Sequence, residues 1–261
     1  MKSKYDTIGV DYNTTRKADN YISQRISSLL KPIKGKKYLD IGCGTGNYTS
    51  AIFNKNYKIV GIDPSSEMLS KARLNNSHIE WSQAMAENTE LESSSIDGMM
   101  ASLTLHHWND INAGFLELAR ILKPGSRMVI FTSTKTQMKG YWLNHYFPKM
   151  MIDSIAQMPE YNEIIQAIES AGFAISETEN YHVKNDLEDL FLYCGKQRPE
   201  LYLDEKVRHG ISSFSSLSNA SEVKEGLLKI TADIKSGEIQ RLIDTYENQH
   251  GDYLFIVGIK Q

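Results

Sequence analysis

Apolar and polar positions switch between two periods along the first half of the chain, and the switch recurs at the pace of strand–helix–strand units. Lys37-Tyr38-Leu39-Asp40-Ile41 is a short apolar run that ends in glycines, and Tyr48 to Phe53 reads as the helix behind it. Lys58-Ile59-Val60-Gly61-Ile62-Asp63 predicts a second strand. Pro64 then stands at a helix start, with Met68, Leu69 and Ala72 forming the apolar stripe. Ile79 to Ser82 predicts a third strand, and Ile96 to Leu103 a fourth that is richer in Met than in β-branched residues. Ile111 to Leu122 places Phe115, Leu118, Ala119 and Leu122 at helical spacing and stops at Lys123-Pro124-Gly125. Arg127 to Phe131 is the fifth strand. Such alternation implies an α/β fold with a mostly parallel, doubly wound sheet.

The second half changes character. Tyr141 to Tyr161 is rich in aromatics and Met, a helix is predicted over Tyr161 to Ala171, and a strand over Ala174 to Val183. Lys184 to Gly251 has a helical pattern with polar seams, and Asp252 to Ile259 is a strand. A long helical stretch between two strands predicts an inserted cap, because unstructured loops of that length are rare in compact domains. The expected organisation is an N-terminal helical segment over 1–35, a main domain from 36–183 and 252–261, and a cap over 184–251.

Composition narrows the class. The chain has 261 residues, 41% of them hydrophobic and 23% charged, which is ordinary for a soluble globular protein. The formal net charge is −3, without long charge blocks, so no basic face for a nucleic-acid backbone is expected. The first residues lack the apolar core of a signal peptide, and no apolar run approaches the ~18 residues of a membrane span. A cytoplasmic protein, monomer or homodimer, without membrane or nucleic-acid partners, is expected. Cys43 and Cys194 are too few for a disulfide framework, and no Cys/His cluster suggests a metal.

The chemistry concentrates at Leu39-Asp40-Ile41-Gly42-Cys43-Gly44-Thr45-Gly46-Asn47, between the first strand and its helix. Glycines there permit a sharp turn and close backbone approach. Ligands of open α/β sheets bind at the carboxyl ends of the strands, and the helix N-terminus offers free N–H groups. Asp63, at the end of the second strand, stands where a ribose hydroxyl pair calls for a carboxylate. An adenosine-type ligand is therefore predicted. The spacing is GxGxG, and Asn47 occupies the third position of the dinucleotide pattern GxGxxG. This disfavours a nicotinamide-dependent oxidoreductase, the competing reading.

Asp40-Ile41-Gly42-Cys43-Gly44-Thr45-Gly46 resembles motif I of class I S-adenosylmethionine-dependent methyltransferases. Gly61-Ile62-Asp63-Pro64-Ser65-Ser66-Glu67-Met68-Leu69 is similar to the second block of their ubiquinone/menaquinone-type (methyltransferase type 11) subgroup. Ala84 to Asn88, Ser95-Ile96-Asp97, Leu105-His106-His107-Trp108 and Lys123-Pro124-Gly125 follow in that subgroup's order. The resemblance covers about residues 36 to 135 and departs at Met85, where these families usually carry an aspartate near the adenine amino group.

The resemblance implies a Rossmann-like, seven-stranded sheet with an antiparallel last strand, and S-adenosylmethionine as cofactor. Gly42 and Gly44 would line its methionine moiety, Asp40 its ammonium end and Asp63 its ribose. Pro64 or Met68 would face the adenine, Ala86 and Glu87 would border it, and Leu103 would close the pocket. Tyr5, Tyr12 and Arg16 resemble a segment that folds over the cofactor in relatives, where an Arg would pair with the methionine carboxylate. His106 and His107, next to where the methyl group should point, are candidates for a general base or an acceptor-orienting pair, with a pocket-wall role as the alternative.

On the acceptor side, Trp142, His145 and Tyr146 read either as an aromatic wall or as core beneath the cap. Arg208 and His209 would suit an acidic or polar acceptor, or a solvated cap surface. The expected activity is metal-independent, in-line methylation of a small molecule at O, N or C. A non-catalytic S-adenosylmethionine-binding regulator is the remaining alternative.

Overall fold

The computed structural model describes residues 15–53 and 55–261. Its centre is a seven-stranded sheet in the order β3-β2-β1-β4-β5-β7-β6. The strands are β1 (Lys37–Ile41), β2 (Lys58–Asp63), β3 (Glu80–Gln83), β4 (Ile96–Ser102), β5 (Leu122–Thr132), β6 (Phe173–Tyr181) and β7 (Tyr253–Lys260). β1 pairs parallel with β2 and β4, β2 with β3, and β4 with β5, whereas β7 runs antiparallel between β5 and β6. The chain order reverses at β1, so β1 and β4 open a crevice at their carboxyl ends.

The period-2 alternation of the buried strands sorts their side chains onto two faces. Leu39, Ile41, Met128, Ile130, Leu254 and Ile256 pack on one side, against α4 (Ile111–Ile121) and α8 (Tyr161–Ser170), through Phe115, Leu118, Ile164 and Ile168. Tyr38, Val129, Phe131, Phe255 and Val257 face the other side, where α1 (Asn20–Leu30), α2 (Asn47–Ile52) and α3 (Ser66–Asn75) contribute Ile22, Ile26, Ile52 and Leu69. The caps are local: Asp19 accepts from the amide of Ile22, Ser65 from Met68, and Asp110 from Asn112 and Ala113. Pro64 lies just before the Ser65 cap rather than at the first helical position.

A helical layer covers the second face and is drawn from two separate stretches. α5 (Lys135–Lys139), α6 (Leu143–Tyr146) and α7 (Pro148–Ala156) follow β5; α9 (Glu205–His209), α10 (Ser212–Ser216), α11 (Ala220–Ser236) and α12 (Glu238–Thr245) precede β7. Gly226 joins them: a Cβ there would lie 2.3 Å from the Phe147 ring, so α11 can approach α6 and α7 only without a side chain. The Tyr146 hydroxyl donates to Asp233 across the same seam at 2.7 Å.

Two expectations change. β5 begins at Leu122, not Arg127, with a register shift between Ile96 and Gly98 that takes up Lys123-Pro124-Gly125. Proline is tolerated there because an irregular pairing does not need its missing donor. Residues 182–198 are turns rather than helix. Leu187, Phe191, Tyr193 and Cys194 are buried in this stretch without a helical stripe. Its amides are satisfied by tight-turn carbonyls, as from Cys194 to Phe191 and Arg198 to Gly195, and by side chains: Val183 bonds Asp252, Glu188 bonds Asp19, and Gly195 bonds the Tyr202 hydroxyl.

Candidate functional site

The turn after β1 is shaped by backbone constraints. Gly42, Gly44 and Gly46 all have positive φ, at 72°, 54° and 72°, where an L side chain is strained. The amides of Gly42 and Cys43 both donate to the carbonyl of Ile62, tying the turn to the end of β2. A Cβ on Gly42 would lie 1.9 Å from the Thr104 hydroxyl oxygen, so the turn and the segment leaving β4 touch there through a bare α-carbon. Leu103 brings Thr104 to that contact: its φ is 53° and its amide donates to Phe131 at 2.7 Å. At Gly44, by contrast, a Cβ would meet nothing within 4 Å. That glycine faces open space, in the wall of a cavity.

The cavity has a volume of about 850 Å³, within the range of small-molecule sites. Its floor comes from the ends of β1, β2, β3 and β4: the glycine turn, Asp63 to Met68, Gln83 to Glu87 and Ser102 to Asn109 all contribute. Its roof comes from the helical layer and from the turn segment around Asp189. The carboxylate of Asp63 is held by the amides of Gly44 at 2.9 Å and Ser65 at 2.8 Å, one on each oxygen. A carboxylate oriented in this way can accept from hydroxyl donors. Pro64, Met68, Met85 and Ala86 lie beside it as an apolar surface. Glu87 lines the cavity too, while its carboxylate accepts from the amides of Asn109 and Asp110. His106 and His107 sit on a 3₁₀ turn after β4, their ring centroids 3.8 Å apart, and both line the cavity.

Asp40 does not reach the cavity. Its carboxylate is buried beneath the turn and accepts from the Thr49 hydroxyl at 2.6 Å. Burial pushes it up to about 7, with the Thr49 hydrogen bond opposing and the charge of Asp63 adding. Any help that Asp40 gives in fixing a ligand's ammonium end would therefore act through the turn above it. Burial also raises the Cys43 thiol well above its usual value, which suits a small residue in a tight turn rather than a nucleophile.

Arg16 lines the cavity but is engaged by Asp189, at 2.6 Å from Nε to Oδ1 and 3.3 Å from Nη2 to Oδ2. The Tyr48 hydroxyl donates to the same carboxylate at 3.1 Å, and Asn47 bonds the carbonyl of Arg16. Burial still raises the Asp189 carboxyl, with the Arg16 charge opposing. Tyr5 and Tyr12 lie outside the described residues.

The five acceptor-side candidates all lie away from the cavity. Trp142 is fully buried in the covering layer, its indole N–H donating to the carbonyl of Lys196. Tyr146 is spent on Asp233, and His145 is exposed on the outer face of that layer. Arg208 donates to the carbonyl of Tyr202, and His209 is exposed beside Glu205 at 3.9 Å. The roof uses residues that sequence reasoning missed: Met138, Met158, Phe191, Leu192, Ile211 and Asp189. Only Asp189 left a trace, as an acid inside the apolar run Leu187 to Tyr193. Among the described residues, no group of three or more His, Cys, Asp or Glu side chains comes together as a metal site, and no helix is long and apolar enough to cross a membrane.

A family profile described as a methyltransferase domain matches residues 39–130. The crystal structure of a putative methyltransferase from an antibiotic biosynthesis pathway of Anabaena variabilis is 33% identical, covers 93% of this chain and 98% of that one, and superposes with a TM-score of 0.82. A ubiquinone/menaquinone biosynthesis C-methyltransferase of Rubrivivax gelatinosus is 23% identical over 58% of this chain and 67% of its own length. Other curated relatives are matched over about half of their length, 49% and 53% in two cases. Geranyl diphosphate C-methyltransferase from Streptomyces coelicolor, solved with S-adenosyl-L-homocysteine, shares the fold at 13% identity, with a TM-score of 0.58 over 92% of this chain and 80% of that one.

Proposed function

The chain belongs to the class I S-adenosylmethionine-dependent methyltransferases, and from this premise we propose that it methylates a small molecule enclosed between the strand ends and the helical layer, without a metal. The observation that carries the reading is the carboxylate of Asp63, fixed by two backbone amides at the open side of Gly44 and facing a roofed cavity.

The donor set fits the cofactor. Asp63 would accept both ribose hydroxyls, Met68 and Pro64 would pack on the adenine, and Ala86, Glu87 and Leu103 would border it. Gly42 and Gly44 would admit the methionine end against the backbone. When bound, S-adenosylmethionine supplies a methyl group on a sulfonium, which leaves as a neutral thioether and needs no acid. The chain's own part is then alignment and exclusion of water, which the roof provides. A hydroxyl or amine acceptor must also lose a proton, and the imidazole of His106 or His107 at the end of β4 is the group to take it. The N-terminal segment contributes Arg16 and Lys17 to the cavity, in keeping with a division into 1–35, a main domain from 36–183 and 252–261, and a cap over 184–251, to which α5–α7 are added.

Calorimetric titration with S-adenosylhomocysteine tests the reading, with NADH and NADPH as controls. Micromolar or tighter binding is expected for the first and none for the dinucleotides. Asp63→Ala should weaken it about 100-fold, the loss of two charge-assisted hydrogen bonds. An unchanged affinity in that variant would show that the ribose lies elsewhere.

A further inference from the structure

We propose that the methyl acceptor is an uncharged, mainly apolar molecule, chosen by a roof whose own charges cancel. This deepens the methyltransferase reading and rests on it. On the roof side the cavity is lined by Met138, Met158, Phe191, Leu192, Ile211 and Leu217, with the uncharged polar Ser154 and Gln157 among them. Among the described residues, Arg16 and Asp189 bring charge to the cavity from beneath the surface on this side and pair with each other, and the Tyr48 hydroxyl adds a donor to the carboxylate. The pair brings no net charge to the chamber.

Three half-buried cations near the roof could have answered an anionic acceptor, yet they are used for building. Lys196 pairs with the buried Asp252 at 2.8 Å, Arg198 donates to the carbonyl of Leu187, and Arg208 to that of Tyr202. None of the three lines the cavity. Lys17 does, but as an exposed side chain, where a charge contact is weakened by solvent. On the floor, Asp63 and Glu87 are acids, and they repel an anion. Among the described residues of the roof, a carboxylate or phosphate entering this chamber would find no buried cation outside the Arg16–Asp189 pair to offset its lost hydration, a cost that an uncharged molecule does not meet. The hydroxyls of Ser212 and Ser213, at the edge of the same wall, can orient a neutral hydroxyl or carbonyl group.

Two dyes with one ring system separate the possibilities: N-phenyl-1-naphthylamine is neutral, and 1-anilinonaphthalene-8-sulfonate is its anionic counterpart. Both are titrated by fluorescence into the protein saturated with S-adenosylhomocysteine. The neutral dye should bind at least tenfold more tightly. Leu217→Lys, which sets a cation at the half-buried end of α10, should move the preference at least tenfold toward the sulfonate and leave S-adenosylhomocysteine affinity unchanged. Equal or tighter binding of the sulfonate by the unaltered protein would overturn the proposal. So would a failure of the neutral dye to bind, or a preference that Leu217→Lys does not move. Failure to bind S-adenosylhomocysteine at all would instead strike the methyltransferase reading, and it is seen in the prior titration before any dye is added.

Discussion

The floor and the roof of the cavity are built on different principles. The floor is four short stretches, each at the carboxyl end of a strand, and its shape comes from backbone: positive φ in the glycine turn and at Leu103, and amides aimed at one carboxylate. The roof comes from segments as far apart as Met138 and Leu217, and its shape comes from side chains that meet only when the layer packs. A floor of this kind is intolerant of added atoms and indifferent to the acceptor. A roof of this kind tolerates exchange among apolar residues of similar volume, and so it is where acceptor choice can diverge over a common cofactor site.

The largest effect expected from breaking this contrast is at Gly42. Gly42→Ala puts a Cβ into the Thr104 hydroxyl at an unfavourable φ, so calorimetry should find S-adenosylhomocysteine binding reduced by more than about 100-fold, and thermal melting should show a fold loosened by several degrees. Gly44→Ala, with open space around the new methyl group, should keep its melting temperature more nearly and lose binding by filling the cavity itself. Equal melting losses in the two variants would mean that the Thr104 contact does not constrain the turn.

Asp189 is the place where floor and roof are joined, since its carboxylate holds both Arg16 and Tyr48. Asp189→Ala removes the carboxylate that accepts twice from the partly buried Arg16 guanidinium and once from the Tyr48 hydroxyl, and should cost about 3–5 kcal/mol in urea unfolding. The paired replacement of Arg16 and Asp189 by Met and Leu should recover much of that loss. If the single variant costs no more than the double, the pair does not stabilise the junction.

A smaller, pH-dependent effect belongs to Asp40. Its folded carboxyl is raised to about 7 from an ordinary value of 3.8. Its contribution is therefore fully present below about pH 4 and is lost as pH rises through 7. Asp40→Asn removes that dependence: the variant should be more stable than the wild type at pH 8, by at most about 4 kcal/mol, and the difference should close toward pH 4. Unfolding curves across that range check it, and a difference that grows toward acid would reverse the assignment.

The smallest effect is expected at His209, exposed on the outer surface of the layer. His209→Ala should change stability by no more than about 0.5 kcal/mol and leave dye and S-adenosylhomocysteine titrations as they were. A changed dye titration would place the chamber's mouth on that face.

Much of the floor was legible before any coordinates. Gly42, Gly44, Asp63, Met68, Ala86, Glu87, Leu103 and both histidines line one cavity, because a strand's end and the residues just after it are adjacent in sequence and in space. Asp40 shows the limit even there. Its position in the motif was plain, but which side of the turn its carboxylate takes depends on Thr49, nine residues on.

The sequence left the roof open between two readings for a related reason. Trp142 and Tyr146 have the composition of a ligand wall, yet they are consumed far along the chain by the carbonyl of Lys196 and the carboxylate of Asp233, and Arg208, with the composition of an anion site, is consumed by the carbonyl of Tyr202 in the neighbouring turn. Aromatic and cationic residue types serve packing as readily as binding, and their sequence spacing does not tell the two apart.

By itself, then, the sequence determined the alternating α/β fold, the glycine turn and the carboxylate beside it, because strand period, turn conformation and helix capping are set by neighbours a few residues apart. Only the tertiary structure decided that Arg16 faces Asp189, that Lys196 and Arg198 are spent on internal partners, and that Met138, Phe191 and Ile211 share one wall. Those contacts close loops of many tens of residues, and what selects them is the packing of the whole layer on the sheet.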